Sequence, residues 1–119
     1  MARRLCSLLI ALMLVVPVLA GARGARAAEC VTFPETGQSL CDLFLQYWRA
    51  NGGLPVFGYP ITPAQQEVNI DTKQSYLTQW FERNRFEYHP DYAGTKDEIM
   101  LGHLAREVLI RRGWIKRDS

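Results

Sequence analysis

The constraint that most narrows what this chain can become is an uncharged run of 16 residues, Leu5 to Ala20, set directly behind Arg3 and Arg4. Two arginines, an apolar stretch of that length and then Ala25-Arg26-Ala27 are the three parts of a secretory signal: a basic start, a segment the translocon accepts, and small residues for signal peptidase. Cleavage is expected before Ala28, making residues 1–27 the signal and residues 28–119 the mature protein. A retained membrane anchor is the competing reading. The run falls short of the roughly 20 residues a spanning helix needs, and Pro17 interrupts it. A lipoprotein is disfavoured too, because Glu29 stands before Cys30 where a small residue is required.

Export changes what the remaining composition means. Arg3, Arg4, Arg23 and Arg26 leave with the signal, so 10 of the 14 basic residues face 12 acidic ones and the mature net charge is −2. No basic stripe is left to neutralise phosphates, and nucleic acid is excluded as the expected partner. Ninety-two residues make one domain with a modest core. Cys6 goes with the signal, and Cys30 and Cys41 are expected to pair in an oxidising compartment, closing a short loop worth roughly 3 kcal/mol in the chain-entropy picture. Two cysteines with His89 and His103 far along the chain give no zinc-like spacing, so neither a metal nor another cofactor is expected.

Along the mature chain, residues 28–38 read as an extended lead-in. Ser39 and Asp42 suggest a capping box opening a helix, with Leu40, Leu43, Phe44, Tyr47 and Trp48 as its apolar stripe and Asp42, Gln46 and Arg49 facing out. Asn51-Gly52-Gly53 stops it. Leu54 to Ile61, with Pro55, Gly58 and Pro60, reads as a constrained loop over the core. Thr62-Pro63 with Gln65 suggests a second capping box and a short helical turn to Glu67.

Ser75 to His89 alternates and is rich in aromatics, as a hairpin centred on Glu82-Arg83-Asn84-Arg85 would be. Pairing Phe81 with Phe86 sets Glu82 opposite Arg85 and puts Leu77, Phe81, Phe86 and Tyr88 on the core face, with Thr78, Trp80, Glu87 and His89 on the other. A helix through Leu104, Val108 and Leu109 is expected to follow, ended by Gly113. The fold class is therefore α+β: a small single domain in which an aromatic β-hairpin packs with two α-helices and ordered loops.

The order of these signals carries a resemblance. Tyr47-Trp48, Gly52-Gly53-Leu54, Phe57-Gly58-Tyr59-Pro60-Ile61-Thr62, Gln79 to Pro90 with its Phe81-Glu82-Arg83-Asn84-Arg85-Phe86 core, Gly94 and Leu101-Gly102 together resemble the LGFP-type repeat of secreted bacterial envelope proteins. The Phe-Glu-Arg variant of that repeat is the nearer likeness. It covers residues 44–114, one unit and the opening helix of a second. The resemblance implies a wall-associated or accessory module attached to envelope glycans, and it implies no catalytic residue.

Candidate chemistry is sparse. Ser39, Ser75 and Ser119 lie in no Gly-x-Ser-x-Gly elbow, and a cysteine nucleophile is excluded if Cys30 and Cys41 pair as expected. Glu82 and Glu87 could imitate a glycosidase pair, but a charged hairpin explains them without a cleft. His89 and His103 lack triad or ligand partners. Trp80 is the strongest candidate for contact with a ligand, an indole platform for a sugar ring with Glu87 and His89 beside it for the hydroxyls; burial beneath the C-terminal helix is the competing fate. The expected function is an exported, non-catalytic envelope module that binds cell-wall glycan. An accessory subunit of an extracytoplasmic complex is the alternative, and a small hydrolase a weaker one; self-association would complete the truncated second unit.

Overall fold

In the computed structural model, residues 27–117 are described; the expected signal segment, save Ala27, lies outside them, as does Cys6. The lead-in is a hairpin. Strand β1 (Cys30–Phe33) pairs antiparallel with β2 (Gln38–Cys41), Cys30 stands opposite Cys41, and a disulfide joins the two. Ser39 thus lies in a strand, with its hydroxyl on that of Thr32 at 2.7 Å, and is not a helix cap. Helix α1 (Asp42–Ala50) starts where the disulfide fixes the chain: Glu29 and Asp42 exchange hydrogen bonds, Asp42 N–H to Glu29 C=O and Glu29 N–H to Asp42 Oδ1.

The stripe on α1 is nearly as expected. Phe44 and Leu45 are buried and Tyr47 and Trp48 half-buried, but Leu43 turns outward at 40% exposure and Leu45 takes its place inside. Asn51 closes α1 with its backbone N–H and its side-chain amide on Tyr47 C=O. The segment expected as loop then forms a short helix, α2 (Gly53–Phe57), which tolerates Pro55 because a first-turn residue has no carbonyl to donate to.

No helix starts at Thr62-Pro63, contrary to the capping signal there. Gln65–Val68 is strand β3, edge of a four-stranded antiparallel sheet ordered β3, β4 (Ser75–Trp80), β5 (Arg85–Tyr88), β6 (Ile99–Leu101). Thr62 serves that sheet directly, its hydroxyl accepting from Trp80 N–H at 3.1 Å. Helix α3 (Leu104–Arg111) comes only after β6, and Gly113 ends it in the left-handed conformation.

The central hairpin is shifted by two residues from the expected pairing. Trp80 stands opposite Arg85 and Gln79 opposite Phe86, because Phe81 N–H bonds Asn84 C=O at 2.7 Å and closes residues 81–84 into the loop. A shift of two preserves which residues share a face, since side chains alternate with period two. Leu77, Gln79, Phe86 and Tyr88 still share one face and Thr78, Trp80, Arg85 and Glu87 the other.

Phe86, wholly buried, centres the core, with Phe44, Tyr47, Phe57 and Phe81 at ring-centroid distances of 5.9, 5.1, 4.8 and 4.1 Å. Helix α1 lies on that face. Helix α3 reaches the opposite face, where its Glu107 meets Arg85. The end of α2 and the residue 81–84 loop are bolted to each other: Arg83 donates to Leu54 and Val56 carbonyls, and Glu82 accepts from Tyr59 N–H at 2.9 Å. Gly58, at φ 76°, permits that approach, since a Cβ there would lie 2.7 Å from Glu82 Cβ.

Candidate functional site

Among the described residues, concave regions lie on both faces of the sheet. On the α3 side a cleft of about 510 Å³ has Arg85, Glu87, His89 and Glu107 at its floor and Asn69, His103 and Arg106 among its walls. Here the sequence-derived candidates Glu87 and His89 do come together. Glu87, 4% exposed, accepts from Arg85 Nε at 2.9 Å and from Asn69 Nδ2 at 3.0 Å, and its Oε2 lies 3.2 Å from His89 Nε2. The His89 ring stacks on Tyr76 with centroids 3.9 Å apart.

Arg85 is the hub of this network. Burial strips water from the guanidinium and works against its charge, yet the hydrogen bonds and charges of Glu107 and Glu87 outweigh that, and its pKa rises above the ordinary arginine value. Gly102 makes room, since a Cβ there would fall 2.7 Å from the guanidinium. The network is a buried, fully hydrogen-bonded polar cluster: among the described residues no sealed side-chain nitrogen or oxygen lacks a partner.

Trp80 is committed to the same network. Its Nε1–H donates to the Glu67 carboxylate at 3.0 Å, the Arg85 guanidinium lies 5.0 Å from its ring, and the side chain is half-buried. It lines neither of the two concavities. Glu82 engages Tyr59 in a different part of the fold, so Glu82 and Glu87 serve separate contacts.

The other concavity, of about 540 Å³, lies between β2, the start of α1, residues 63–64 and the core face of the sheet. Phe44, Leu77 and Tyr88 form its apolar lining, Leu43 its outer wall, and Gln38 and Asp42 bring polar groups to it. It exists because the chain after Thr62 runs to the sheet edge as β3 rather than folding back as a helix, so the Leu77–Tyr88 end of the core face stays half open.

Gln79 is the residue that sequence reasoning passed over. It is 1% exposed, sits between Leu77 and Phe81 on the inward side of β4, and lines this groove. Its Nε2 donates to Ser39 C=O at 2.9 Å and Thr62 C=O at 3.0 Å, which fixes the amide's orientation and uses both its hydrogens. Its Oε1 accepts from no donor among the described residues, and since none of their sealed polar atoms is unpartnered, that oxygen keeps a small exposed surface on a side chain only 1% exposed that lines the groove. The Tyr88 hydroxyl likewise has no hydrogen-bond partner among them. A glutamine at an inward position of an apolar alternation was the available signal.

Among the described residues no group of three or more His, Cys, Asp or Glu could hold a metal, and no helix is long and apolar enough to cross a membrane. The chain matches no protein-family model, no curated protein and no solved structure.

Proposed function

We propose that this is an exported, non-catalytic module that binds a cell-wall glycan in the groove beside the disulfide. The observation that carries the reading is the unpaired Gln79 side-chain carbonyl at the wall of a concavity that also offers the half-buried Tyr88 ring: an aromatic face for the apolar side of a pyranose and fixed polar groups for its hydroxyls. Export rests on the signal-like N-terminus and agrees with the Cys30–Cys41 disulfide. The resemblance to LGFP-type envelope repeats supports the same assignment. The module is non-catalytic in this reading because the LGFP-type resemblance implies no catalytic residue; Arg85 bonds Glu87 and Glu107, and Glu87 in turn meets His89.

The test is co-sedimentation of the protein with purified cell-wall glycan. Wild type should pellet, Trp80→Phe should pellet equally, and Leu43→Arg, which places a long charged side chain at the outer wall without touching the core, should stay in the supernatant while remaining folded by circular dichroism. Failure of the wild type to pellet, or pelleting of Leu43→Arg to the same extent, would overturn the reading.

One observation favours the alternative of an accessory protein subunit. Trp114 is 69% exposed just after α3, with Ile115 and Val108 also exposed nearby in sequence. That reading gains if the protein elutes as a larger particle and Trp114→Ser returns it to the monomer.

A further inference from the structure

The groove's polar geometry constrains which sugar it can take, an argument that rests on the glycan reading above. Both hydrogens of the Gln79 amide are held by Ser39 and Thr62, so at the buried end of the groove the protein offers an acceptor and no donor from this residue. Phe44, Leu77 and Pro63 line the groove with it. A sugar hydroxyl placed there would give its hydrogen to Gln79 Oε1 but carry its own lone pairs against Phe44, Leu77 and Pro63, whose side chains donate nothing to them. A secondary amide N–H is a donor only. In an acetamido group it comes with a methyl that suits Phe44 and Leu77, and its carbonyl can turn toward water.

Other groups extend the match. The half-buried Tyr88 ring and its free hydroxyl stand on the same sheet face as Gln79. Asp42 commits one carboxylate oxygen to Glu29 N–H, leaving the other to accept from ring hydroxyls, as the Gln38 amide can. We infer that the groove selects an N-acetylated amino sugar, reading its amide N–H with Gln79 Oε1 and stacking the ring on Tyr88.

The experiment is a two-dimensional NMR titration of the full exported protein with the β-1,4 trimer of N-acetylglucosamine, with cellotriose as the same backbone lacking acetamido groups. The N-acetylated trimer should bind at least about 10-fold more tightly, a preference in line with one well-placed buried hydrogen bond. It should shift the Gln79 side-chain amide together with Leu77 and Tyr88. Gln79 itself is left intact because it ties two segments together; Tyr88→Phe and Leu43→Ala, which preserve the fold, should each weaken binding about 3-fold or more.

Equal affinity for cellotriose, with shifts in the groove, would overturn the selectivity and leave the glycan reading standing. Pelleting on whole wall glycan with neither trimer binding would do the same. No binding to any of the three would overturn both. N-acetyl-leucine methylamide binding as tightly as the trimer would show an amide reader indifferent to sugar and would overturn the assignment.

Discussion

Arg85 on β5 holds Glu107 on α3 with both ends of its guanidinium, Nη2 to Oε1 at 2.6 Å and Nη1 to Oε2 at 2.9 Å, and Glu107 is 3% exposed. The same guanidinium serves Glu87. Removing it as Arg85→Met strands two buried carboxylates, a change that costs about 3–5 kcal/mol. Arg85→Lys should recover little of this, since a point ammonium cannot serve two carboxylates in the planar fork. Urea unfolding at neutral pH measures both, and a loss below about 1 kcal/mol for Arg85→Met would contradict the hub role. A cation whose pKa is raised on folding contributes fully below its unfolded pKa and loses that contribution only as pH rises through the folded one. Arg85 therefore adds no pH dependence of stability between about pH 5 and 9.

The Cys30–Cys41 bridge fixes the hairpin from which α1 departs, and it also holds β2 against the Gln79 side chain. Reduction, or paired substitution to serine, should lower stability by roughly 3 kcal/mol, the chain-entropy value for so short a loop. Glycan pelleting should weaken with it, because Gln38, Ser39 and Cys41 wall the groove. A reduced protein that unfolds at the same urea concentration as the oxidised one would refute the first expectation.

Gly58 sits where α2 ends and the Phe81–Asn84 loop arrives. Gly58→Ala must place a Cβ against Glu82 while holding φ at 76°, and Trp48 Nε1 depends on the carbonyl of this residue at 3.1 Å. A destabilisation of about 1–3 kcal/mol is expected from the backbone alone. The companion variant Gly94→Ala separates strain from contact: Gly94 has φ 77° with nothing within 4 Å of its Cβ position, so it should suffer only the conformational part. Equal losses in the two would show that the Glu82 contact adds nothing.

The α+β class and the face assignment of the central hairpin were legible because each rests on a strong local signal, and the disulfide because export leaves just two cysteines in an oxidising compartment. Alternation around Trp80 and Phe86 determines which residues share a face even when the pairing shifts by two. What misled was capping chemistry. Ser39-Leu40-Cys41-Asp42 and Thr62-Pro63-Ala64-Gln65 both spell helix starts, yet Thr62 uses its hydroxyl for Trp80 N–H and Ser39 pairs with Thr32, because strand partners distant in sequence compete for the same groups. The buried network was illegible for a related reason. Glu87 and His89 could be placed on one face from their spacing, but Glu107 enters it from another element, 22 residues beyond Arg85, and no local pattern announces that pairing.

Trp80 is where the two possible roles of a tryptophan separate by experiment. An indole that stacks on ligand loses binding when truncated and loses little stability; an indole that organises a core does the reverse. Here the Nε1–H is held by Glu67, one side is occupied by the Arg85 guanidinium, and the groove is on the other face of the sheet. Trp80→Ala should therefore destabilise the domain by about 2–4 kcal/mol, toward the lower part of the range for core aromatics because the side chain is only half-buried. Trp80→Phe, which keeps most of the ring volume and drops the hydrogen bond, should lose about 1–2 kcal/mol. Below the temperature at which each variant begins to unfold, both should pellet with wall glycan as wild type does. If Trp80→Phe stays folded and no longer pellets, the sugar meets the Trp80 face of the sheet, and the assignment to the groove beside Gln79 is overturned.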